Sequence, residues 1–118
     1  MITQEELFGK CPFATSQKIL SGKWALTLLH FLSEGTLRFN EIQRRLPEIT
    51  QSTLSKQLRI LEGYGMVIRT VYPQIPPKVE YSLSTMGQDF TSVLESLRVW
   101  GLKYIDQLEQ IPAYNEET

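Results

Sequence analysis

The chain has 118 residues, 42% of them hydrophobic, a formal net charge of −1 and one cysteine. That length supports one modest core, and a single cysteine forbids an intrachain disulfide and fits a reducing compartment. The apolar stretch Trp24 to Leu32 is broken by Thr27 and His30, far short of the roughly 20 apolar residues that span a bilayer. The start Met1-Ile2-Thr3-Gln4-Glu5-Glu6 carries acids where a secretory leader carries bases. The expectation is one domain over residues 1–118, cytoplasmic, with no membrane partner and disordered composition only in the last few residues.

Charge is sorted along the chain. Residues 1–37 balance to zero, residues 38–80 hold seven basic groups against four acidic ones, and residues 81–118 hold two against six. The central segment therefore carries +3, and the field it creates offsets the weakly acidic total as a guide to partners.

In chain order, Cys11-Pro12 marks a helix start, because proline's missing N–H costs nothing at the first helical position. This helix is predicted to reach Leu20 and stop at Ser21-Gly22. A second runs from Lys23 to Ser33, with Trp24, Leu28, Phe31 and Leu32 on one stripe widened by Ala25 and Leu29, and ends at Glu34-Gly35. Leu37 to Phe39 reads as a one-rung edge strand. Two short helices follow, Phe39 to Leu46 and Gln51 to Glu62, separated by Leu46-Pro47-Glu48-Ile49-Thr50. Gly63 and Gly65 close the second of them. The period then becomes two, over Val67 to Tyr72 and Val79 to Ser84, joined by a tip with three prolines. From residue 85 to 110 the pattern is helical again.

Helix, turn, helix and β-hairpin is the order of a winged helix-turn-helix: 39–62 the helix-turn-helix, 67–84 the wing, 85–110 a terminal helix. The fold class expected is mainly α with a small β-hairpin. In the fourth helix Leu54, Leu58 and Leu61 point to the core, which turns Ser52, Lys56 and Arg59 outward with Ser55 beside them. Gln51 and Thr53 sit near its start, where base contacts concentrate. Arg or Lys suits guanine, Gln suits adenine, and hydroxyls suit base edges or phosphates. Arg38, Arg44 and Arg45 are candidates for phosphate contacts, as are Gln74 and Lys78 at the stiff wing tip. The expected partner is double-stranded DNA.

The terminal helix is apolar over a wide arc, including Leu94, Leu97, Trp100, Gly101, Tyr104 and Ile105. A second copy of the chain is the simplest cover for it. An enzyme is not expected: His30 is the only histidine, and there is no phosphate loop, nucleophile elbow or zinc-binding HExxH. No cofactor or metal is called for. The competing reading is a winged helix that docks on another protein without binding DNA, supported by the acidic total and the apolar tip residue Ile75.

Several runs resemble the HxlR-type winged helix-turn-helix regulators of bacteria. They are Cys11-Pro12, Leu20-Ser21-Gly22-Lys23-Trp24, Arg38-Phe39-Asn40-Glu41-Ile42, Ile49-Thr50-Gln51-Ser52-Thr53-Leu54, Gln57 to Glu62, Tyr72 to Leu83 and Trp100-Gly101. The resemblance covers about residues 10 to 105. It implies homodimers on inverted-repeat operators, joined through the first and last helices, with repressors and activators both represented. Several members of that family sense electrophiles or oxidants through a cysteine placed like Cys11, which makes Cys11 the candidate sensor here. The expected helix N-cap position of Cys11, with Lys10 adjacent, favours a thiolate; a small packed residue at the seam is the alternative. The operator, the target genes, the sign of regulation and any inducer are not legible.

Overall fold

The computed structural model describes residues 2–113; the polar residues 114–118 lie outside them. Among the described residues the order is α1 (Gln4–Leu7), α2 (Pro12–Ile19), α3 (Ala25–Ser33), β1 (Leu37–Arg38), α4 (Phe39–Arg45), α5 (Gln51–Gly63), β2 (Val67–Tyr72), β3 (Lys78–Leu83), α6 (Thr85–Asp89) and α7 (Thr91–Gln107), then a 3₁₀ turn at Leu108–Gln110. The winged helix-turn-helix is present as expected. Helix α1 was not expected; Thr3 caps it by accepting from the Glu6 N–H at 3.2 Å.

The core forms where α3, α4 and α5 meet the sheet. Leu28, Leu29, Ile42, Leu54, Leu58 and Leu61 are fully buried, with Met66, Val67, Tyr81 and Leu83 closing the sheet side. At about 1.5–3 kcal/mol per buried aliphatic side chain, these positions supply most of what orders so small a domain. The antiparallel sheet has strand order β1-β3-β2. Val67 pairs with Leu83 and Tyr72 with Lys78, so β3 starts and ends one residue before the predicted strand. Ser84 is thereby released to cap α6, accepting from the Gly87 N–H at 3.0 Å.

Two joints set the geometry of the site. Helix α5 ends where Gly65 takes φ +77°, its N–H reaching Glu62 O and the Met66 N–H reaching Leu61 O. That pair of bonds is the Schellman closure, which needs a left-handed residue and so favours glycine. Gly87 is buried against the Met66 carbonyl, and a Cβ there would strike that backbone atom.

The predicted helix over 85–110 is divided. Ser84 and Gly87 fix α6 against the start of β2, and α7 begins after Phe90, whose N–H bonds to both Met86 O and Gly87 O. Apolar periodicity continues across the joint, so the pattern did not reveal it. No helix of the described residues is long and apolar enough to cross a membrane.

Candidate nucleic-acid interface

The turn between α4 and α5 is built from inside. Leu46 and Ile49 are buried, and the Gln43 side-chain amide donates to the Ile49 carbonyl at 2.6 Å, holding the turn to α4. Thr50 caps α5: its hydroxyl oxygen accepts from the Thr53 N–H at 3.1 Å and its O–H donates to the Thr53 hydroxyl at 2.9 Å. A side-chain cap of this kind satisfies one of the orphan amides that every helix start leaves.

On α5 the two faces are fully sorted. Leu54, Leu58 and Leu61 are at most 1% exposed. Gln51, Ser52, Thr53, Lys56 and Arg59 are exposed, and Ser55 is half-buried at the margin. Neither Lys56 nor Arg59 has an ion pair among the described residues. This helix presents hydroxyls, an amide and two unengaged cations on its outward side.

The other predicted cations divide into two groups. Arg38 and Arg44 are exposed, and the Arg38 N–H donates to Glu41 at 2.8 Å, closing the start of α4. Arg45 turns toward α3, 3.5 Å from Glu34 and 5.3 Å over the Phe31 ring. At the wing, Lys78 lies 3.5 Å from Glu80 and 5.0 Å over the Tyr72 ring. The Tyr72 hydroxyl bonds to Glu80 as well, and that carboxylate holds the Tyr72 pKa above its ordinary value, through the hydrogen bond first and its charge second. Arg45 and Lys78 are thus engaged within the chain, whereas spacing alone had grouped them with the free cations. Gln74 and Ile75 are exposed at the tip, Ile75 completely.

One residue of this face escaped the sequence reading. Arg69 on β2 pairs across the sheet with Tyr81 and shares its face. Together with Ser55, Arg59 and Glu62 it lines a recess of about 340 Å³ between α5 and the sheet. The available signal was a cation in phase with Val67 and Val71 on a strand otherwise apolar at those positions.

The far side of the molecule is different in kind. Helix α7 has no buried residue over its 17 positions. Val93, Leu97, Val99, Trp100, Leu102, Tyr104 and Ile105 are exposed, Trp100 by 62% and Ile105 by 61%. Gly101 is half-buried, and Leu94, predicted for the same apolar face, packs with Phe90 against the core instead. Cys11 is the N-cap residue of α2, half-buried, with no capping hydrogen bond from its side chain. Its carbonyl accepts from the Thr15 hydroxyl at 2.7 Å. Among the described residues no cluster of His, Cys, Asp or Glu is placed to hold a metal ion.

A capped outward helix beside a three-stranded wing defines a winged helix-turn-helix regulator, and comparison with known proteins narrows the class. Residues 19–109 match the family described as HxlR-like helix-turn-helix, and the chain belongs to that family. It is 44% identical over 106 residues to the HTH-type transcriptional regulator YdeP of Bacillus subtilis, covering 90% of this chain and 83% of that one. Among solved structures it is similar to the redox regulator HypR in its reduced form, with TM-score 0.81 and 41% identity over 85% of this chain and 99% of that chain. It is also similar to the reduced transcriptional regulator YodB of B. subtilis, with TM-score 0.70 and 33% identity over 83% and 93% of the two chains. These relatives are transcriptional regulators, not enzymes, and this chain is a transcriptional regulator of the HxlR type.

Proposed function

We propose that this regulator binds an inverted-repeat operator as a homodimer, each copy laying α5 in a major groove. The observation that carries the reading is the division of α5, leucines at most 1% exposed on one side and unpaired Lys56 and Arg59 on the other. Gln51, Ser52, Thr53 and Lys56 lie toward the helix start, where groove contacts concentrate. Arg38 and Arg44 supply contacts to the strand backbone, and the tip at Gln74 reaches toward the neighbouring minor groove. The uncovered length of α7 supports a second copy seated on Leu97, Trp100, Tyr104 and Ile105, which sets two α5 helices on a two-fold axis.

The test is selection of duplexes from a random-sequence pool by the full-length protein, followed by binding across a salt series. A dimer touching several phosphates loses affinity by orders of magnitude between about 50 and 200 mM salt. The selected sites should be inverted repeats with half-sites about one helical turn apart. No saturable binding to any duplex would overturn the reading in favour of a protein-docking adaptor, whose supporting feature is the fully exposed Ile75.

A redox arm belongs to the same proposal. HypR is described as a redox regulator, and YodB has been solved after diamide treatment. Cys11, half-buried at a helix start, is this chain's only thiol. Diamide would oxidise Cys11 together with a second thiol, from the partner copy or a small molecule, forming one disulfide while the two hydrogens pass to diamide. Operator affinity should change on oxidation in the native protein and not in Cys11→Ser. An equal change in both proteins excludes Cys11 as the sensor.

A further inference from the structure

The recess between α5 and the sheet holds more positive charge than the chain itself uses. Arg59 comes from the C-terminal half of α5 and Arg69 from β2, and the two residues line one concavity. Neither guanidinium has a hydrogen bond or ion pair among the described residues. Glu62, on the same wall, lies beyond ion-pair distance of both. Tyr81 lines the recess too: the residue is 91% buried, since 9% of it remains exposed, and its hydroxyl, which has no partner within the described residues, stays open to solvent on that side. Ser55 adds a second hydroxyl at the rim. Two like charges converging with two hydroxyl donors form a site that favours an oxyanion, because guanidinium N–H groups match phosphate oxygens in pairs.

The position of the recess identifies which anion. If α5 occupies the major groove and the wing approaches the adjacent minor groove, the strand between those grooves must cross the gap between α5 and β2. That gap is the recess. We propose that it clamps one backbone phosphodiester of the bound duplex, with Arg59 and Arg69 on its non-bridging oxygens and the Tyr81 and Ser55 hydroxyls donating to them. Arg59 therefore sets register and does not read a base, and sequence is read nearer the start of α5. The inference rests on the DNA-binding reading above and assigns a role to Arg69 and Tyr81 that the free cations alone do not.

The experiment uses the full-length protein with a selected duplex and with a shuffled duplex of equal length. Arg69→Ala should weaken binding to both by a similar factor, on the order of tenfold per recess at moderate salt. It should also lower the slope of log affinity against log salt by about 0.9 per recess. Tyr81→Phe keeps the buried ring and should weaken both duplexes several-fold with the slope unchanged. Glu62→Gln should strengthen both. Thermal unfolding of each variant separates these effects from loss of fold, and Arg69→Lys, which keeps the charge but not the paired geometry, should restore the slope but only part of the affinity.

Wild-type protein that binds duplex while Arg69→Ala and Tyr81→Phe match it in affinity and slope would overturn the clamp and leave the DNA-binding reading standing. Loss of discrimination between selected and shuffled duplex in Arg69→Ala would overturn it too, by making the residue a base reader. Inorganic phosphate titrated into the recess without any effect of these variants on duplex binding would assign the site to a free anion and also overturn it. Wild-type protein that binds no duplex removes both readings together.

Discussion

Helices α5 and α7 are both amphipathic, but they settle their apolar faces in opposite ways. Helix α5 covers its leucines within the chain and shows solvent a polar, cationic surface; α7 leaves Trp100, Tyr104 and Ile105 uncovered and buries no residue. The hydrophobic effect makes no distinction between cover from the same chain and cover from another. What separates the two helices is topology. Helix α5 is held between α3 and β2, whereas α7 borders α3 over Thr91 to Arg98 and leaves Trp100, Tyr104 and Ile105 uncovered beyond it. Helix α5 is complete in one copy, and α7 is the element that the proposed dimer would complete.

The largest effect should come from breaking the covered face. Leu58→Ala removes a side chain that is 1% exposed and leaves a cavity at the junction of α5 with the core. Urea unfolding should show a loss of about 2–5 kcal/mol. Exchanging Trp100 and Ile105 for glutamate should behave oppositely. The fold of a single copy survives, because neither side chain is buried in it. The dimer dissociation constant, read by sedimentation, should rise by about a hundredfold or more, and a charge buried in an apolar seam is the reason. If the double variant unfolds a single copy, α7 is a core element and the contrast between the helices is lost.

The joint between the two regions comes next. Gly87→Ala places a methyl group against the Met66 carbonyl and Leu83. Overpacking there should cost about 1–3 kcal/mol in chemical unfolding, exceeding the helix-propensity gain of about 1 kcal/mol from alanine. Because α6 sets the departure of α7, the same variant should also weaken dimerisation. An alanine variant as stable as the native protein would show that α6 can shift freely.

Much of this contrast was legible in the residues. Spacings of four and three put Leu54, Leu58 and Leu61 on one face, and the change of period marked the wing, because both depend on neighbours close in sequence. The dividing point at Phe90 was hidden, since the apolar rhythm of Met86, Phe90 and Leu94 runs through it and only the contact of Gly87 with the Met66 carbonyl and Leu83 reveals why α6 is pinned. Charges were harder. Arg45 finds Glu34 across a gap of eleven positions, and the role of Arg69 depends on a helix ten residues upstream. Spacing does not encode such pairings; they appear only when elements pack.

The smallest effect would sharpen a second contrast, between the unengaged cations of α5 and the tethered one of the wing. Glu80 accepts from the Tyr72 hydroxyl and sits 3.5 Å from Lys78, itself stacked over the Tyr72 ring. The carboxylate raises the Tyr72 pKa, so the phenol's contribution to stability is present below its ordinary value near 10 and is lost as pH climbs through the raised one. Glu80→Gln keeps an acceptor for the phenol but removes the charge. Tyr72 should then ionise at lower pH in an absorbance titration, and Lys78, freed from its counter-charge, should strengthen duplex binding by about two- to fivefold at low salt with a steeper salt dependence. The exposed setting keeps the effect small, because water already screens much of the Lys78–Glu80 attraction. An unchanged Tyr72 titration would show that Glu80 does not hold the phenol. An unchanged duplex affinity would place Lys78 outside the reach of any phosphate and confine the wing's contacts to its tip.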